Sequence, residues 1–193
     1  MRPPGTGSWH DARVEQPDLF SAVAVGADEA ASAEPEPEPV VVATDGSCLR
    51  NPGPGGWCWY VADDCWAAGA EAATTNNRME LLSVAMVLEA VPTDRPVHIQ
   101  ADSSYVIDAL TKWRHGWKRR GWKTAAGAPV KNRDLMEHLD ALVTERMPTF
   151  EWVRGHTGHA ANEAADQRAR AAAEALDAGR PWSTGPGFTA AAP

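Results

Sequence analysis

The sequence is poor in cysteine and contains no long apolar run. Its 193 residues include three cysteines, Cys48, Cys58 and Cys65, whose odd number and spacing fit neither a disulfide framework nor a zinc site. No stretch of about 18 apolar residues occurs, so no membrane-spanning helix is predicted. The N-terminus lacks the basic and then apolar pattern of a secretory signal. We therefore expect a cytoplasmic protein with reduced thiols.

Positive charge is also scarce overall, but it is unevenly distributed. The formal net charge is −8, and residues 1–39 hold eight acidic and two basic residues, which leaves −2 for the rest of the chain. Within that rest, residues 109–133 contain eight Lys or Arg and no Asp or Glu. Because a nearby polyanion responds to the local field, the acidic total does not exclude a nucleic-acid partner.

Composition divides the chain into three parts. Residues 1–39 are rich in Pro, Ala and Glu and end in an alternation of Glu and Pro, which predicts a disordered acidic tail. Residues 40–179 carry regular hydrophobic periodicity and are predicted to form one globular domain. Residues 180–193 are expected to be a flexible C-terminal tail.

The periodicity of the middle part predicts an α/β fold. Three strands separated by turns should form an antiparallel meander, and two later strands alternate with helices to complete a mixed sheet with helices on its faces. The predicted strands are 40–45, 57–62, 65–71, 97–101 and 149–153, and the predicted helices are 77–91, 103–112, 132–147 and 160–178.

Four acidic residues stand at the ends of these strands or on helices: Asp45, Glu80, Asp102 and Asp166. Singly, each has an ordinary explanation, such as turn chemistry at Asp45, the helix dipole at Glu80 or a helix cap at Asp102. As an ordered set they indicate one cluster. Converging carboxylates repel one another, and Mg²⁺ is a hard cation that would stabilise them. Two such ions roughly 3.5–4 Å apart would form a phosphodiester-cleaving site.

Further polar residues near this set suit a nucleic-acid substrate. His156 lies on a glycine-flanked loop, which favours proton transfer or product release, whereas His159 is expected to cap a helix or be structural. The amides of Asn51, Asn76 and Asn77 could be simple turn residues, or could read ribose 2′-hydroxyls and base edges.

The basic segment, residues 112–123, alternates cations with indoles. Its tryptophans are Trp113, Trp117 and Trp122, and Lys118 and Arg119 are its candidate phosphate contacts. The tryptophans could instead be core anchors and the cations a solvated face. The density of positive charge favours nucleic-acid contact for the segment as a whole.

With these residues assembled, the chain resembles the type I ribonuclease H family in its bacterial form, over about residues 40–178. The motifs that carry the resemblance are Thr-Asp-Gly-Ser-Cys at 44–48, Asn-Pro-Gly-Pro-Gly-Gly at 51–56, Thr-Thr-Asn-Asn-Arg-Met-Glu-Leu at 74–81, Asp-Ser at 102–103, the basic segment, and Trp-Val-Arg-Gly-His at 152–156. The resemblance implies a five-stranded mixed sheet whose first three strands are antiparallel. It also implies hydrolysis of the RNA strand of RNA–DNA hybrids with two Mg²⁺ ions, or Mn²⁺ as a substitute, leaving 5′-phosphate and 3′-hydroxyl ends.

The resemblance also implies roles for individual residues. The four carboxylates bind the metal ions, His156 is the histidine of the mobile loop, and the three asparagines contact RNA. A pocket for a DNA phosphate falls on Thr75, Asn51 and Arg119. Asn162 shares a helix face with Asp166 and is added to the predicted substrate contacts.

A separate resemblance lies in the N-terminal tail. Gln16-Pro17-Asp18-Leu19-Phe20 is similar to peptides that dock on the bacterial replication sliding clamp, and a chance match in a disordered tail is the alternative. We expect a monomer.

Two other functions stay open at this point. One is another nuclease on the same sheet, such as a junction resolvase or transposase, which the ribose-reading amides argue against. The other is a non-catalytic hybrid-binding module, which the complete carboxylate set argues against.

Overall fold

The computed structural model describes residues 37–155 and 157–188. The elements, in chain order, are β1 (Val40–Cys48), β2 (Gly53–Ala62), β3 (Cys65–Thr74), α1 (Asn76–Ala90), β4 (Val97–Ala101), α2 (Ser104–Asp108), a π-helical segment (Ala109–Trp113), α3 (Arg114–Arg119), α4 (Arg133–Arg146), β5 (Thr149–Trp152) and α5 (Ala160–Asp177). Among the described residues, no helix has both the length and the apolar character needed to cross a membrane.

The five strands form one mixed sheet in the order β3-β2-β1-β4-β5. The pairs β1–β2 and β2–β3 are antiparallel, whereas β1–β4 and β4–β5 are parallel, which confirms the predicted fold class. The parallel register pairs Ala43 with Gln100. Asp45 and Asp102 each come two residues further along, so the topology carries both carboxylates to the same edge of the sheet.

Alternation along β1 sends its side chains to two different cores. Val40 and Val42 enter the main core, which lies under α1 and α4 and includes the fully buried Leu81, Val84, Leu88, Ile99, Met136 and Leu139. Ala43 faces a smaller cluster under α5, formed with Cys58, Ala68, Ala165 and Ala169. Strand β2 and helix α5 approach each other closely beside this cluster, because a Cβ added at Gly56 would lie 2.1 Å from the Ala169 carbonyl oxygen.

Helix α5 ends where a glycine predicts it. Gly179 adopts φ +64°, and its N–H donates to the Leu176 carbonyl while that of Arg180 donates to the Ala175 carbonyl. These two bonds form a Schellman cap, which satisfies carbonyls at the helix end. The predicted cap of α4, Asn132, occupies the capping position but adopts φ +53° and makes no side-chain capping bond.

The chain differs from expectation in the basic segment. Helical structure was predicted to stop at residue 112, yet it continues through the π-helical segment and α3 as far as Arg119. Two side chains of α3, Arg114 and Lys118, bond to Asp140 of α4. This tertiary contact has no signal in the local sequence, which is why periodicity alone ends the helix too early.

Residues 180–188, the described part of the expected flexible tail, run beside the edge strand β3. The Ala68 N–H donates to the Thr184 carbonyl, and the Gly187 N–H donates to the Trp66 carbonyl. Phe188 packs against the main core. This segment therefore continues the backbone hydrogen bonding of the sheet past β3.

Candidate active site

Asp45 is the most buried of the four predicted carboxylates, with 8% of its surface exposed. It lies within β1 opposite Cys58 of β2, and its Oδ1 accepts a 2.6 Å hydrogen bond from the Gly46 N–H. Pairing with β2 continues to Cys48, so Asp45 stands inside the strand and not at its end as predicted. A rigid strand therefore fixes this carboxylate.

Glu80 reaches Asp45 because β1 approaches α1 very closely at Gly46. A Cβ on Gly46 would lie 2.2 Å from the Glu80 backbone nitrogen, so only glycine allows this approach. The two oxygens of Glu80 accept hydrogen bonds from Asn76 Nδ2 at 2.7 Å and from Ser103 Oγ at 2.6 Å. Burial raises the pKa of Glu80, and the Ser103 bond opposes that shift. The carboxylate is therefore held in one orientation from both sides.

Asp102 follows β4 and is oriented by contacts with its backbone and its side chain. Trp152 of β5 donates its indole N–H to the Asp102 carbonyl at 3.0 Å. Asn162 of α5 donates from Nδ2 to the Asp102 carboxylate at 3.3 Å. Gly155 leaves room for the carboxylate, since a Cβ there would lie 2.3 Å from Oδ2. The helix cap in this region is Ser103, whose hydroxyl accepts from the Val106 N–H.

Asp166 of α5 completes the set around Asp45. The pKa of Asp45 is raised from 3.8 to about 8, first by burial and then by the negative charges of Asp102, Asp166 and Glu80. All three other carboxylates are therefore near enough to act electrostatically on Asp45. The sequence prediction of one cluster agrees with this coupling.

The cluster offers oxygen ligands only, and these suit a hard divalent cation. Within residues 37–155 and 157–188, however, no three acidic, histidine or cysteine side chains form a ready-made metal-coordinating group. The electrostatic coupling and the lack of a ready-made coordinating group are compatible, because charges act over longer distances than metal–ligand bonds do. The donor set fits a cation, and the side chains would have to move to bring the oxygens together around it.

A cavity of about 390 Å³ contains three of the predicted substrate residues. Its lining residues are Asn51, Thr75, Asn77, Tyr105, Lys131 and Asn132. Asn51 also accepts a 3.3 Å hydrogen bond from the Asn76 N–H, which joins the turn after β1 to the start of α1. Asn76 does not line this cavity, and its amide instead binds Glu80.

The other lining residues, Tyr105, Lys131 and Asn132, were not predicted to be functional. They come from parts of the chain that follow β4 or precede α4, and only the fold brings them to Asn51. The local signal that could have found Lys131 and Asn132 is a Lys-Asn pair directly before an amphipathic helix, which reads equally well as a cap.

Two of the predicted tryptophans in the basic segment form a row of tilted ring contacts with Tyr105. The ring centroids of Tyr105 and Trp113 are 6.1 Å apart, and those of Trp113 and Trp117 are 5.7 Å apart. Trp113 is 40% exposed, whereas Trp117 and Trp122 pack partly against the main core. Trp117 and Trp122 therefore agree with the interpretation as core residues, and Trp113 is the most available of the three to a ligand.

The predicted cations of the segment differ in their surroundings. Arg119 is exposed and lines a second cavity, of about 410 Å³, with Lys112, Trp113 and Arg120. It does not line the cavity of Asn51 and Thr75, where the DNA-phosphate pocket was expected. The ammonium group of Lys118 lies 2.6 Å from Asp140.

Two predicted residues remain, Asn162 and His156. Asn162 is 1% exposed and binds Asp102, so it lies within the carboxylate cluster itself. His156 lies outside the described residues. His159 caps α5 by accepting from the Asn162 N–H, which confirms its expected capping role.

The chain is similar to known proteins of one family. A family model described as RNase H matches residues 37–174. Ribonuclease H of Tropheryma whipplei (strain Twist) is 46% identical over 151 residues, covering 78% of this chain and 94% of its own length. Ribonuclease H of Pseudomonas fluorescens (strain Pf-5) is 50% identical over 135 residues, covering 67% and 89%.

A solved structure agrees with these relatives. The crystal structure of LC9-RNase H1, a type 1 RNase H with the type 2 active-site motif, matches with a TM-score of 0.60 and 35% identity, covering 77% of each chain. The family model spans all five strands and all four carboxylates. The chain belongs to the RNase H family.

Proposed function

We propose that this protein is an endoribonuclease that hydrolyses the RNA strand of RNA–DNA hybrids and leaves 5′-phosphate and 3′-hydroxyl ends. The observation that carries the proposal is the electrostatic coupling of Asp45 in β1 to Glu80 of α1, to Asp102 directly after β4 and to Asp166 of α5 in an RNase H fold. The relatives named above are called Ribonuclease H, which supports the same activity.

The cofactor we propose is a pair of Mg²⁺ ions held by the four carboxylates, with Mn²⁺ as a substitute. Such ions, when bound, lower the pKa of a coordinated water and stabilise charge on phosphate oxygens. The chain itself prepares the ligands. Asn76 and Ser103 orient Glu80, and Asn162 and Trp152 orient Asp102. Preorientation reduces the rearrangement that ligand binding requires.

Selection of a hybrid would come from the cavity and from the basic segment. The amides of Asn51 and Asn77 can donate to and accept from ribose 2′-hydroxyls, which distinguish RNA from DNA. In the same cavity Thr75 and Lys131 offer a hydroxyl and a cation to a backbone phosphate. The exposed cations of the basic segment add attraction that depends on salt but not on sequence.

We assign His156 to proton transfer or product release. It follows Gly155, which packs against Asp102, so the chain passes directly beside the carboxylate cluster at this point. A histidine titrates near neutral pH, which suits that role.

The decisive experiment incubates matched RNA–DNA, RNA–RNA and DNA–DNA duplexes with the protein, with and without Mg²⁺. We expect cleavage of the RNA strand of the hybrid only, and only with the metal. Cutting of the DNA–DNA duplex would favour another nuclease on this fold. Binding of the hybrid without cleavage in Mg²⁺ would favour a non-catalytic binding module.

A substitution connects the activity to the cluster. Asp45→Asn should reduce the cleavage rate by several orders of magnitude while the fold is retained, because Asn keeps the acceptor for the Gly46 N–H but removes the charge. Asp64→Asn, the same chemical change at an exposed turn, is the matched control. Retained cleavage in Asp45→Asn would contradict the site.

The second proposed partner is the replication sliding clamp, through residues 16–20, which lie outside the described residues. A peptide of residues 12–24 should bind the clamp, and Leu19→Ala and Phe20→Ala should each abolish that binding. Equal weak binding by all three peptides would end this proposal.

A further inference from the structure

One acidic side chain enters the basic segment from outside. Residues 109–133 contain no Asp or Glu, yet Asp140 of α4 points both of its carboxylate oxygens at α3. Arg114 Nη1 lies 2.5 Å from Oδ1, and Lys118 Nζ lies 2.6 Å from Oδ2. Asp140 is only 4% exposed. The carboxylate is therefore fully engaged by two cations four residues apart.

Arg114 is the more buried of the two cations that contact Asp140. Its side chain is 12% exposed, and it also donates to the Leu110 carbonyl at 2.7 Å and to the Thr144 hydroxyl at 3.1 Å. Burial alone would raise the pKa of Asp140, but the hydrogen bonds from Lys118 and Arg114 outweigh burial and lower it. Asp140 therefore stays charged, as a buried partner of two cations must.

Lys118 is the more exposed of the two cations that contact Asp140. Its side chain is 61% exposed, so its stem crosses the surface and brings the ammonium group back to Asp140. A lysine used in this way holds the helix and is not free to contact a phosphate. Arg119, the last residue of α3, and Arg120, which follows it, are exposed and line the second cavity.

Helix α3 buries little surface of its own. It is six residues long and contains no buried residue, although it continues the π-helical segment and its Trp117 contacts Trp113 and packs partly against the main core. The two ion pairs to Asp140 lie on one face of α3. They therefore help to determine which residues α3 turns outward.

We propose that Asp140 is a positioning residue for hybrid binding, which acts through Arg114 and Lys118 to set the rotation of α3 that presents Arg119 and Arg120 to the nucleic-acid backbone. The inference rests on the proposed function, because it concerns how the hybrid is held. Asp140 touches none of the four carboxylates in the contacts described above, so its effect falls on binding and not on the chemical step.

The test compares Asp140→Asn with Glu137→Gln, a charge removal at an exposed site on the same helix. Hybrid affinity is measured at several salt concentrations in an Asp45→Asn background, and kcat and KM are measured with Asp45 intact. We expect Asp140→Asn to weaken binding and raise KM by about tenfold, with kcat changed by less than about twofold. The salt slope should fall by about one, the contribution of one phosphate contact. Glu137→Gln should leave all of these values unchanged.

Two outcomes would overturn the proposal. Unchanged affinity and salt slope in a folded Asp140→Asn protein would show that α3 does not need this contact. Tighter binding with a steeper slope would show that Asp140 merely neutralises Lys118. If the wild-type protein neither binds nor cleaves the hybrid, the proposed function fails as a whole, which is a separate result.

A double-mutant cycle distinguishes two roles of Lys118, action through Asp140 and direct contact with a phosphate. If Lys118 acts through Asp140, Lys118→Ala should weaken binding in the wild-type background and add less than about twofold to Asp140→Asn. Independent, multiplying effects would show that Lys118 contacts the phosphate itself, and would overturn its assigned role.

Hydrogen exchange keeps the inference testable should Asp140→Asn fail to fold. Lys118→Ala changes an exposed side chain and should fold. In the free protein it should speed the exchange of α3 backbone amides, because the helix loses one of its two fixed contacts. A lysine that only contacts phosphate would leave that exchange unchanged, and such a result would refute the positioning role.

Discussion

Asp45→Asn should stabilise this protein when metal ions are removed. The carboxyl group is buried and lies close to three other negative charges, so its ionised form is costly in the native state. Asparagine has nearly the same shape, and its side-chain oxygen can accept the hydrogen bond from the Gly46 N–H. The substitution therefore removes the charge and leaves the contacts.

The magnitude follows from the pKa of Asp45, which rises from 3.8 to about 8 on folding. As pH increases between those values, the unfolded chain releases this proton and the native state keeps it, so the native state loses stability. Each pH unit in that window corresponds to about 1.4 kcal/mol, and the cost at neutral pH is about 4 kcal/mol before relaxation. We expect a measured gain of about 2–4 kcal/mol for Asp45→Asn at neutral pH.

The assay is urea unfolding of both proteins in a chelator over a series of pH values. The difference in the free energy of unfolding should be small at about pH 4, grow with pH, and become constant above about pH 8. Asp64→Asn should show no such trend. Saturating Mg²⁺ should reduce or reverse the difference, because the wild-type site binds the ion better. Equal stability at neutral pH without metal, or a difference independent of pH, would refute the reasoning.

Three further substitutions test other contacts of the site and fold. Gly46→Ala should lower the free energy of unfolding by about 1–3 kcal/mol and reduce activity more than tenfold, since the new methyl group would displace the Glu80 backbone, as urea unfolding and a cleavage assay would show. Trp152→Phe should lower kcat about fivefold to tenfold with unchanged hybrid affinity, because Asp102 loses a hydrogen bond worth about 1 kcal/mol. Gly179→Ala should cost about 1 kcal/mol in thermal unfolding and leave activity unchanged, because φ of +64° strains any side chain.

Each of these three predictions has an outcome that would contradict it. Wild-type stability in Gly46→Ala would mean that β1 and α1 do not approach as described. An effect of Trp152→Phe on KM instead of kcat would move that indole from orienting Asp102 to contacting substrate. Lost activity in Gly179→Ala would mean that the end of α5 matters to the chemistry.

Much of the fold could be predicted because local patterns and tertiary structure agree. The strand over 97–101 is observed with the same bounds, since Val97, Ile99 and Ala101 alternate with half-buried residues. The end of α5 at Gly179 was also predicted, because a left-handed glycine is a strong local signal. These local patterns were enough to predict the order of the strands and helices along the chain.

The errors arise where distant residues decide the structure. Strand β1 was predicted to stop at Asp45, but its pairing with the glycines of β2 extends it to Cys48. Helix α3 depends on Asp140, a residue more than 20 positions further along the chain. For the site, the four carboxylates predicted from their sequence context are electrostatically coupled, whereas Tyr105, Lys131 and Asn132 join the cavity only through folding.

The segment of residues 180–188 has a practical consequence for anyone who shortens this protein. The family match ends at residue 174, so a chain cut at that point keeps the whole of the matched region. It would also leave the N–H of Ala68 and the carbonyl of Trp66 without their partners on an open strand, where another molecule could pair with them. Its solubility would then suffer even if its activity did not.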